Sequence, residues 1–381
     1  MPHDPVSRRQ FLHNIAAGST GAALGSTLAN AHAAAGGTAS TGPEPPWPRT
    51  VESYPIVEPG KGVTVDHLKI VSAEQIQDPY AERIRSVSPV IELKAGLSEK
   101  AFQSELADAQ AIFGGFSRED FSSAKELRWI QWGAAEVEGI LWPELVESPV
   151  VLTNMQRIYA PVISETAIGL MLALARGIPR YVLQTQQHQW QTLDGLNEIS
   201  GMTLGLVGLG GIGTETARRA HFGFDMTVLA VDPKPIPKPD FVAEVHSLDW
   251  LPQMASRVDV LMSATPHTPL SEGMLNESVF RAMKKSAYFI NVSRGKVVNT
   301  PALIQALKEG WIAGAGLDVA DREPLPPDDE LFTAPNLIIT CHTSGWSPEV
   351  QGRRLELFSE NVRRYVAGLP LLNVVDKQRG Y

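Results

Sequence analysis

Gly201-Met-Thr-Leu-Gly-Leu-Val-Gly-Leu-Gly-Gly-Ile-Gly213 sets an apolar run directly against Gly208-x-Gly210-x-x-Gly213. That spacing turns a strand tightly into a helix and brings the helix's first turn, with its N–H groups and dipole, to where a pyrophosphate can lie. A glycine triplet alone is weak evidence, and its context decides. Thr214-Glu-Thr-Ala-Arg-Arg-Ala220 continues as helix, and Met226-Thr-Val-Leu-Ala-Val231 reads as the next strand, followed at once by Asp232. An acid at that distance accepts the ribose hydroxyls of an adenosine and repels a 2′-phosphate. Gly208, Gly210, Gly211, Ile212, Gly213 and Asp232 are therefore the expected dinucleotide contacts, with NAD the expected cofactor. Lys234 and Lys238, in the proline-rich loop after Asp232, could instead accept a 2′-phosphate, which keeps NADP as the less favoured alternative.

The remaining composition narrows the class. The chain has 381 residues, a net charge of −9 and 43% hydrophobic residues, which fits an enzyme of about two domains with an appendage. An acidic chain with scattered Lys and Arg offers no basic stripe for nucleic acid. The single Cys341 excludes an intramolecular disulfide, and no HExxH, EF-hand loop or paired CxxC asks for a metal. A G-x-S-x-G elbow is also absent from the sequence.

The first residues form a separate object. Ser7-Arg8-Arg9-Gln10-Phe11-Leu12 precedes a weakly apolar Ala/Gly/Ser/Thr stretch that ends in small-residue cleavage candidates such as Ala31-His-Ala33. This resembles a twin-arginine export signal over residues 1–35, and implies a periplasmic enzyme met by the twin-arginine machinery. A low-complexity leader on a cytoplasmic enzyme is the alternative. Residues 36–60, rich in Gly, Thr and Pro, read as a linker.

Beyond the linker, strand and helix patterns alternate. Leu68–Val71, Val87–Leu93, Ala111–Phe113, Trp129–Gln131 and Val150–Thr153 read as short buried strands, with a helix over Glu99–Leu106, so residues 61–160 form a first α/β unit. Val162–Arg176 is a helix apolar around most of its circumference, fit for burial between domains or at a subunit contact. Strands at Val258–Ser263, Ala287–Val292, Ala315–Val319 and Asn336–Thr340 complete a doubly wound parallel sheet within residues 161–341.

Ligands of such sheets lie beyond the carboxyl ends of the strands. There the sequence places Arg294, Glu323 and His342. A guanidinium can hold a carboxylate and lean on the adjacent carbonyl oxygen, an imidazole can deliver a proton, and a carboxylate can keep that imidazole oriented and charged. This is the minimal kit for reducing a 2-keto acid.

Taken together, the chain resembles the D-isomer-specific 2-hydroxyacid dehydrogenases from about Val63 to Asp376. The resemblance rests on Leu127-Arg-Trp-Ile130 with Gly133-Ala-Ala135, Gly169 to Arg176, the glycine loop, Phe289 to Val298, Ile312 to Val319 and Glu323-Pro-Leu-Pro326. It implies that Arg294 anchors the substrate, that Glu323 pairs with His342, and that His342 is the acid/base. It also implies that N–H groups of Trp132, Gly133, Ala134 and Ala135 hold the substrate carboxylate, that Asp318 meets the nicotinamide carboxamide, and that Thr265 and Pro266 line the cofactor. Two further implications are a smaller flavodoxin-like substrate domain, discontinuous in sequence and completed by residues 342–381, and a homodimer. Two positions depart from the family pattern: Cys341 replaces a common Pro and reads as a small buried residue, and Gly211 stands where a basic residue is frequent. His267 is a competing histidine without an accompanying carboxylate motif. Two other readings stay open. One is an exported NAD-binding or sensing module with little turnover, and the other is a cofactor-retaining oxidoreductase that couples two substrates.

Overall fold

Residues 66–380 are described by the computed structural model, so the leader, the linker and the arginine pair Arg8-Arg9 lie outside the described residues. The first strands are short because each is a fully or half-buried run of three or four residues bounded by polar turns. β1 (Leu68–Val71), α1 (Tyr80–Val87), β2 (Ile91–Lys94), α2 (Glu99–Glu105), β3 (Ala111–Phe113), α3 (Arg118–Ser123), β4 (Trp129–Gln131), α4 (Pro143–Glu147) and β5 (Val151–Thr153) follow in order. The five strands make a parallel sheet in the order β2-β1-β3-β4-β5, the flavodoxin-like winding.

One boundary differs from the sequence reading. Val87 ends a helix instead of starting a strand, and the strand begins only at Ile91. Pro89 explains the break: it forces Ser88 into extended backbone, φ −162° and ψ 145°, and so stops the helix there.

A crossover then leads into α5 (Ala160–Ala175) and α6 (Ile178–Gln186), followed by β6 (Thr203–Val207), α7 (Gly211–Phe224), β7 (Thr227–Val231), β8 (Glu244–His246), α8 (Leu251–Arg257), β9 (Val260–Ser263), α9 (Glu277–Ala282), β10 (Tyr288–Asn291), α10 (Thr300–Lys308), β11 (Gly314–Leu317), β12 (Leu337–Ile339) and α11 (Pro348–Val366). The second sheet is parallel throughout, in the order β12-β11-β10-β9-β6-β7-β8. Its strand order reverses between β6 and β9, and the glycine loop leaves β6 at that switch point. The edge strand β8 was not legible in the sequence, because Glu-Val-His is short and only one of its residues is apolar.

Apolar faces explain the layering. On one side of the large sheet, Ala167, Leu170 and Met171 of α5 and Ala217 and Ala220 of α7 share a core with Leu206, Val260 and Ile290. On the other, Met254, Phe280, Leu303 and Leu307 pack against Leu261 and Phe289. The chain then returns to the first sheet. Phe358 of α11 is fully buried and stacks on Phe113 with ring centroids 4.1 Å apart. Val374 bridges antiparallel to Thr153, and the Val375 N–H donates to Leu152 O at 2.8 Å. The first sheet is thus assembled from two separated stretches of chain.

Candidate active site

Six loops at the carboxyl ends of the large sheet carry the predicted residues from Gly208 to His342. In the loop after β6, Gly208 has φ +96°, and a Cβ there would stand 2.8 Å from Ala264 O. A Cβ on Gly213 would stand 2.2 Å from Gly208 O, so the helix can lie this close to its strand only without one. Nothing lies within 4 Å of a Cβ built on Gly210. The first and third glycines are therefore demanded by packing, while the second leaves open ground before the first turn of α7. That division of roles fits a pyrophosphate. Asp232 fixes the loop from the end of β7: its carboxylate accepts the Leu209 N–H and the Lys234 N–H, each at 2.9 Å. A carboxylate accepts about four hydrogen bonds, so acceptor capacity remains for ribose hydroxyls. After β9, Thr265 is buried and Pro266 is exposed, its carbonyl accepting the Ser271 hydroxyl at 2.7 Å.

Arg294 follows β10. Asn291 Nδ2 donates to the Arg294 carbonyl at 2.9 Å, and buried Ser293 and Ser263 share a hydroxyl contact of 2.8 Å, so the loop is tied both to its own strand and to β9. The guanidinium donates to Ser293 O at 2.8 Å and pairs with the Glu136 carboxylate. Glu136 belongs to the loop after β4, on the first sheet, and was missed by the sequence reading. Its one signal was adjacency to Trp132–Ala135. Gly295 packs so tightly that a Cβ would stand 1.8 Å from the Ala320 carbonyl carbon. The arginine loop thereby lies directly on the segment that leads to Glu323.

That segment and the one after β12 hold Glu323 and His342. His342 Nδ1 and Glu323 Oε2 are 2.6 Å apart, and the other Glu323 oxygen accepts the Ala320 N–H at 2.8 Å. The pair is partly open, with 48% of the imidazole and 36% of the carboxylate side chain exposed. His342 has φ +54°, an uncommon backbone for a side chain of this size. Buried Asp318 supports it: its carbonyl accepts the His342 N–H at 2.7 Å, and its carboxylate accepts Thr343 N–H at 3.1 Å, Ser344 N–H at 3.0 Å and the Thr340 hydroxyl. Burial pushes the Asp318 carboxyl up, but the hydrogen bonds from Ser344 and Thr340 outweigh it and hold the group below its ordinary value. Asp318 thus braces the histidine loop.

Three expectations are revised by the geometry. Cys341 is exposed, because it lies past the end of β12 where the chain leaves the sheet. The Trp132 N–H is committed to Thr153 O at 2.7 Å as a continuation of the β4–β5 pairing, which leaves Gly133, Ala134 and Ala135 as the loop's candidate donors. His267 does have a carboxylate neighbour, with its Nε2 3.6 Å from Glu272 Oε2. Gly133 packs closely: a Cβ there would lie 2.8 Å from the side-chain ends of both Arg354 and Glu74, an ion pair of 2.9 Å behind the loop that would have to shift.

Residues 168–344 match the family described as D-isomer specific 2-hydroxyacid dehydrogenase, NAD binding domain. The chain is 35% identical over 267 residues to the glyoxylate reductase of Korarchaeum cryptofilum, an alignment covering 68% of this chain and 79% of that one. It is similar to the crystal structure of a D-isomer specific 2-hydroxyacid dehydrogenase family protein from Aeromonas salmonicida, with a TM-score of 0.70 and 28% identity over 82% of this chain and 99% of the other. The NADPH-dependent glyoxylate/hydroxypyruvate reductase of Sinorhizobium meliloti, in complex with NADP and sulfate, gives a TM-score of 0.68 and 25% identity, covering 82% of this chain and 100% of that one.

Gly295 offers a test of the site's construction. Gly295→Ala must separate the arginine loop from Ala320, and is expected to lower stability by about 1–3 kcal/mol. Its effect on turnover should exceed its effect on folding, because the displaced neighbour is Arg294 itself. Denaturant unfolding alongside steady-state kinetics would read both, and unchanged kinetics would contradict this account.

Proposed function

We propose that this chain, which belongs to the D-isomer specific 2-hydroxyacid dehydrogenase family, reduces a small 2-keto acid to its D-2-hydroxy acid, with His342 as the acid/base. The observation that carries the reading is the 2.6 Å pair of His342 and Glu323, set beside the Arg294 loop at the carboxyl ends of the large sheet. The nicotinamide cofactor, held on the loop of Gly208–Gly213 with Asp232 at its ribose, supplies the hydride when bound.

The chain's own groups do the rest. Arg294 grips the substrate carboxylate and polarises the carbonyl, exchanging its bond to Glu136 for the substrate. The N–H groups of Gly133, Ala134 and Ala135 receive the carboxylate from the other side of the cleft. His342 releases its Nε2 proton to the carbonyl oxygen, and Glu323 at Nδ1 keeps the ring oriented. Asp318 retains about one acceptor site for the carboxamide of the cofactor. The reductase names of the relatives support a small 2-keto acid such as glyoxylate or hydroxypyruvate as substrate.

Keto-acid reduction needs the imidazole held in line to deliver its proton. Glu323→Gln exchanges the charge-assisted bond at Nδ1 for a neutral one and should lower turnover. His342→Ala should lose about 10²–10⁴-fold in turnover. NADH oxidation with a panel of 2-keto acids reads both, and full turnover in His342→Ala would sink the assignment.

Cofactor choice rests on Asp232. Its carboxylate, bonded to the Leu209 N–H of the glycine loop, would accept ribose hydroxyls and repel a 2′-phosphate, which supports NADH as the favoured nucleotide, although the Sinorhizobium relative is named as NADPH-dependent. Like charges at contact distance cost enough to separate the two cofactors by about tenfold or more in kcat/KM. Asp232→Ala should narrow that gap. Equal kcat/KM for NADH and NADPH in the unmodified protein would contradict the proposal.

Assembly as a homodimer is supported by α6 and the segment after it. Ile178, Val182 and Leu183 are 48%, 50% and 56% exposed, and Trp190 is fully exposed. A second copy would cover this apolar surface, which is large for a lone subunit. Sedimentation at micromolar concentration should show a dimer that Leu183→Glu with Val182→Glu converts to monomer; a monomer from the start would reject it.

A further inference from the structure

The glycine loop presents N–H groups and a helix dipole to a pyrophosphate, but Gly208-Leu-Gly-Gly-Ile-Gly-Thr214 contains no cation. A helix N-terminus is worth about half a charge, whereas a dinucleotide pyrophosphate carries about two. The stem of a cationic side chain from another element stands against this loop. A Cβ built on Gly211 would lie 2.7 Å from Arg157 Cγ and 3.1 Å from Arg157 Cα, so the stem of Arg157 fills the space that a side chain at 211 would need.

Arg157 is held there by its surroundings. It lies in the crossover between β5 and α5 with φ +75°, a conformation unfavourable for a long side chain. The Arg157 carbonyl accepts the Ala160 N–H at 2.9 Å at the start of α5. On either side, Asn373 Nδ2 donates to Gln156 O and Arg353 Nε to Ile158 O, both at 2.8 Å. Backbone strain retained under so many restraints belongs where a side chain must be aimed. The charge acts on the nucleotide side of the sheet: Lys234, two residues past Asp232, is pushed down chiefly by burial, with the charges of Arg379 and Arg157 adding to it and those of Asp232 and Asp376 opposing.

We propose that Arg157, reaching from the interdomain crossover over Gly211, is the cationic contact for the cofactor's pyrophosphate. Gly211 is then the complement of Arg157, because the two positions share one space and only one of them can carry the cation. The nucleotide would also tie the crossover to the glycine loop, so that binding the cofactor stiffens the junction between the two sheets. This rests on the reading of the cleft as a dinucleotide site.

The test uses the full-length protein and calorimetric binding of NADH, NADPH, ADP and adenosine. Arg157→Gly removes the charge while suiting the left-handed backbone, so its melting temperature should be kept or raised. Affinity for NADH and ADP should fall by about tenfold or more, the effect of losing a charge-assisted bond, while adenosine binding stays unchanged. Adding Gly211→Arg to Arg157→Gly should restore ADP affinity, since the space is now open. Unchanged ADP affinity in Arg157→Gly, a loss shared equally by adenosine, or a loss confined to NADPH would each overturn the proposal. An unmodified protein that binds neither NADH nor ADP would overturn the dinucleotide reading itself, and this inference with it.

Discussion

A single buried carboxylate decides the geometry of the histidine loop. Asp318 stands at the end of β11 with its carbonyl and both carboxylate oxygens turned to residues 340–344. A lone buried charge costs several kcal/mol, whereas one that accepts several hydrogen bonds is stable and stays ionised. The carboxylate therefore imposes the path of the loop, and that path gives His342 its left-handed backbone. This restraint on the backbone acts together with the side-chain contact that holds the imidazole beside Glu323.

The same principle of one rigid element positioning the next runs through the site. The fit of Gly295 against Ala320 transmits the position of β10 to the segment carrying Glu323, so arginine and glutamate are set by the sheet and not by their own flexible stems. Across the cleft, the Glu74–Arg354 pair sits behind Gly133 and ties the loop after β1 to α11, the helix that returns to the first sheet. Both segments that connect the sheets converge there, with Arg353 bonded to the Ile158 carbonyl. In the proposed site the N–H donors of Gly133, Ala134 and Ala135 come from the first sheet, whereas Arg294, Glu323 and His342 come from the large one. Their relative placement depends on this junction.

Much of the fold was legible because parallel sheets bury their strands on both faces, which leaves short apolar runs in the sequence. β1, β3, β4, β6, β7, β9 and β10 lie where those runs lie, with ends shifted by a residue or two. The misplaced start of β2 arose because Val87 suits either a helix end or a strand, and Pro89 settled it. The polar edge strand β8 gave no signal. His342, Glu323 and Arg294 were legible because each lies in the loop that follows a strand.

The sequence by itself determined the doubly wound class, the glycine turn with its acid at Asp232, and the candidates Arg294, Glu323 and His342 beyond the strand ends. All of these follow from local spacing: alternation of periodicity, glycine where no Cβ fits, and chemistry at strand ends. Tertiary structure alone decided which groups from distant segments meet. Glu136 against Arg294 spans 158 residues of chain, and Arg157 against Gly211 crosses from one sheet to the other. Neither pair has a local pattern, since such contacts exist only once two sheets are packed and the intervening backbone has chosen its path. For the same reason Asp318 was legible as a strand-end acid, whereas its role as the brace of the histidine loop emerged only from the folded chain.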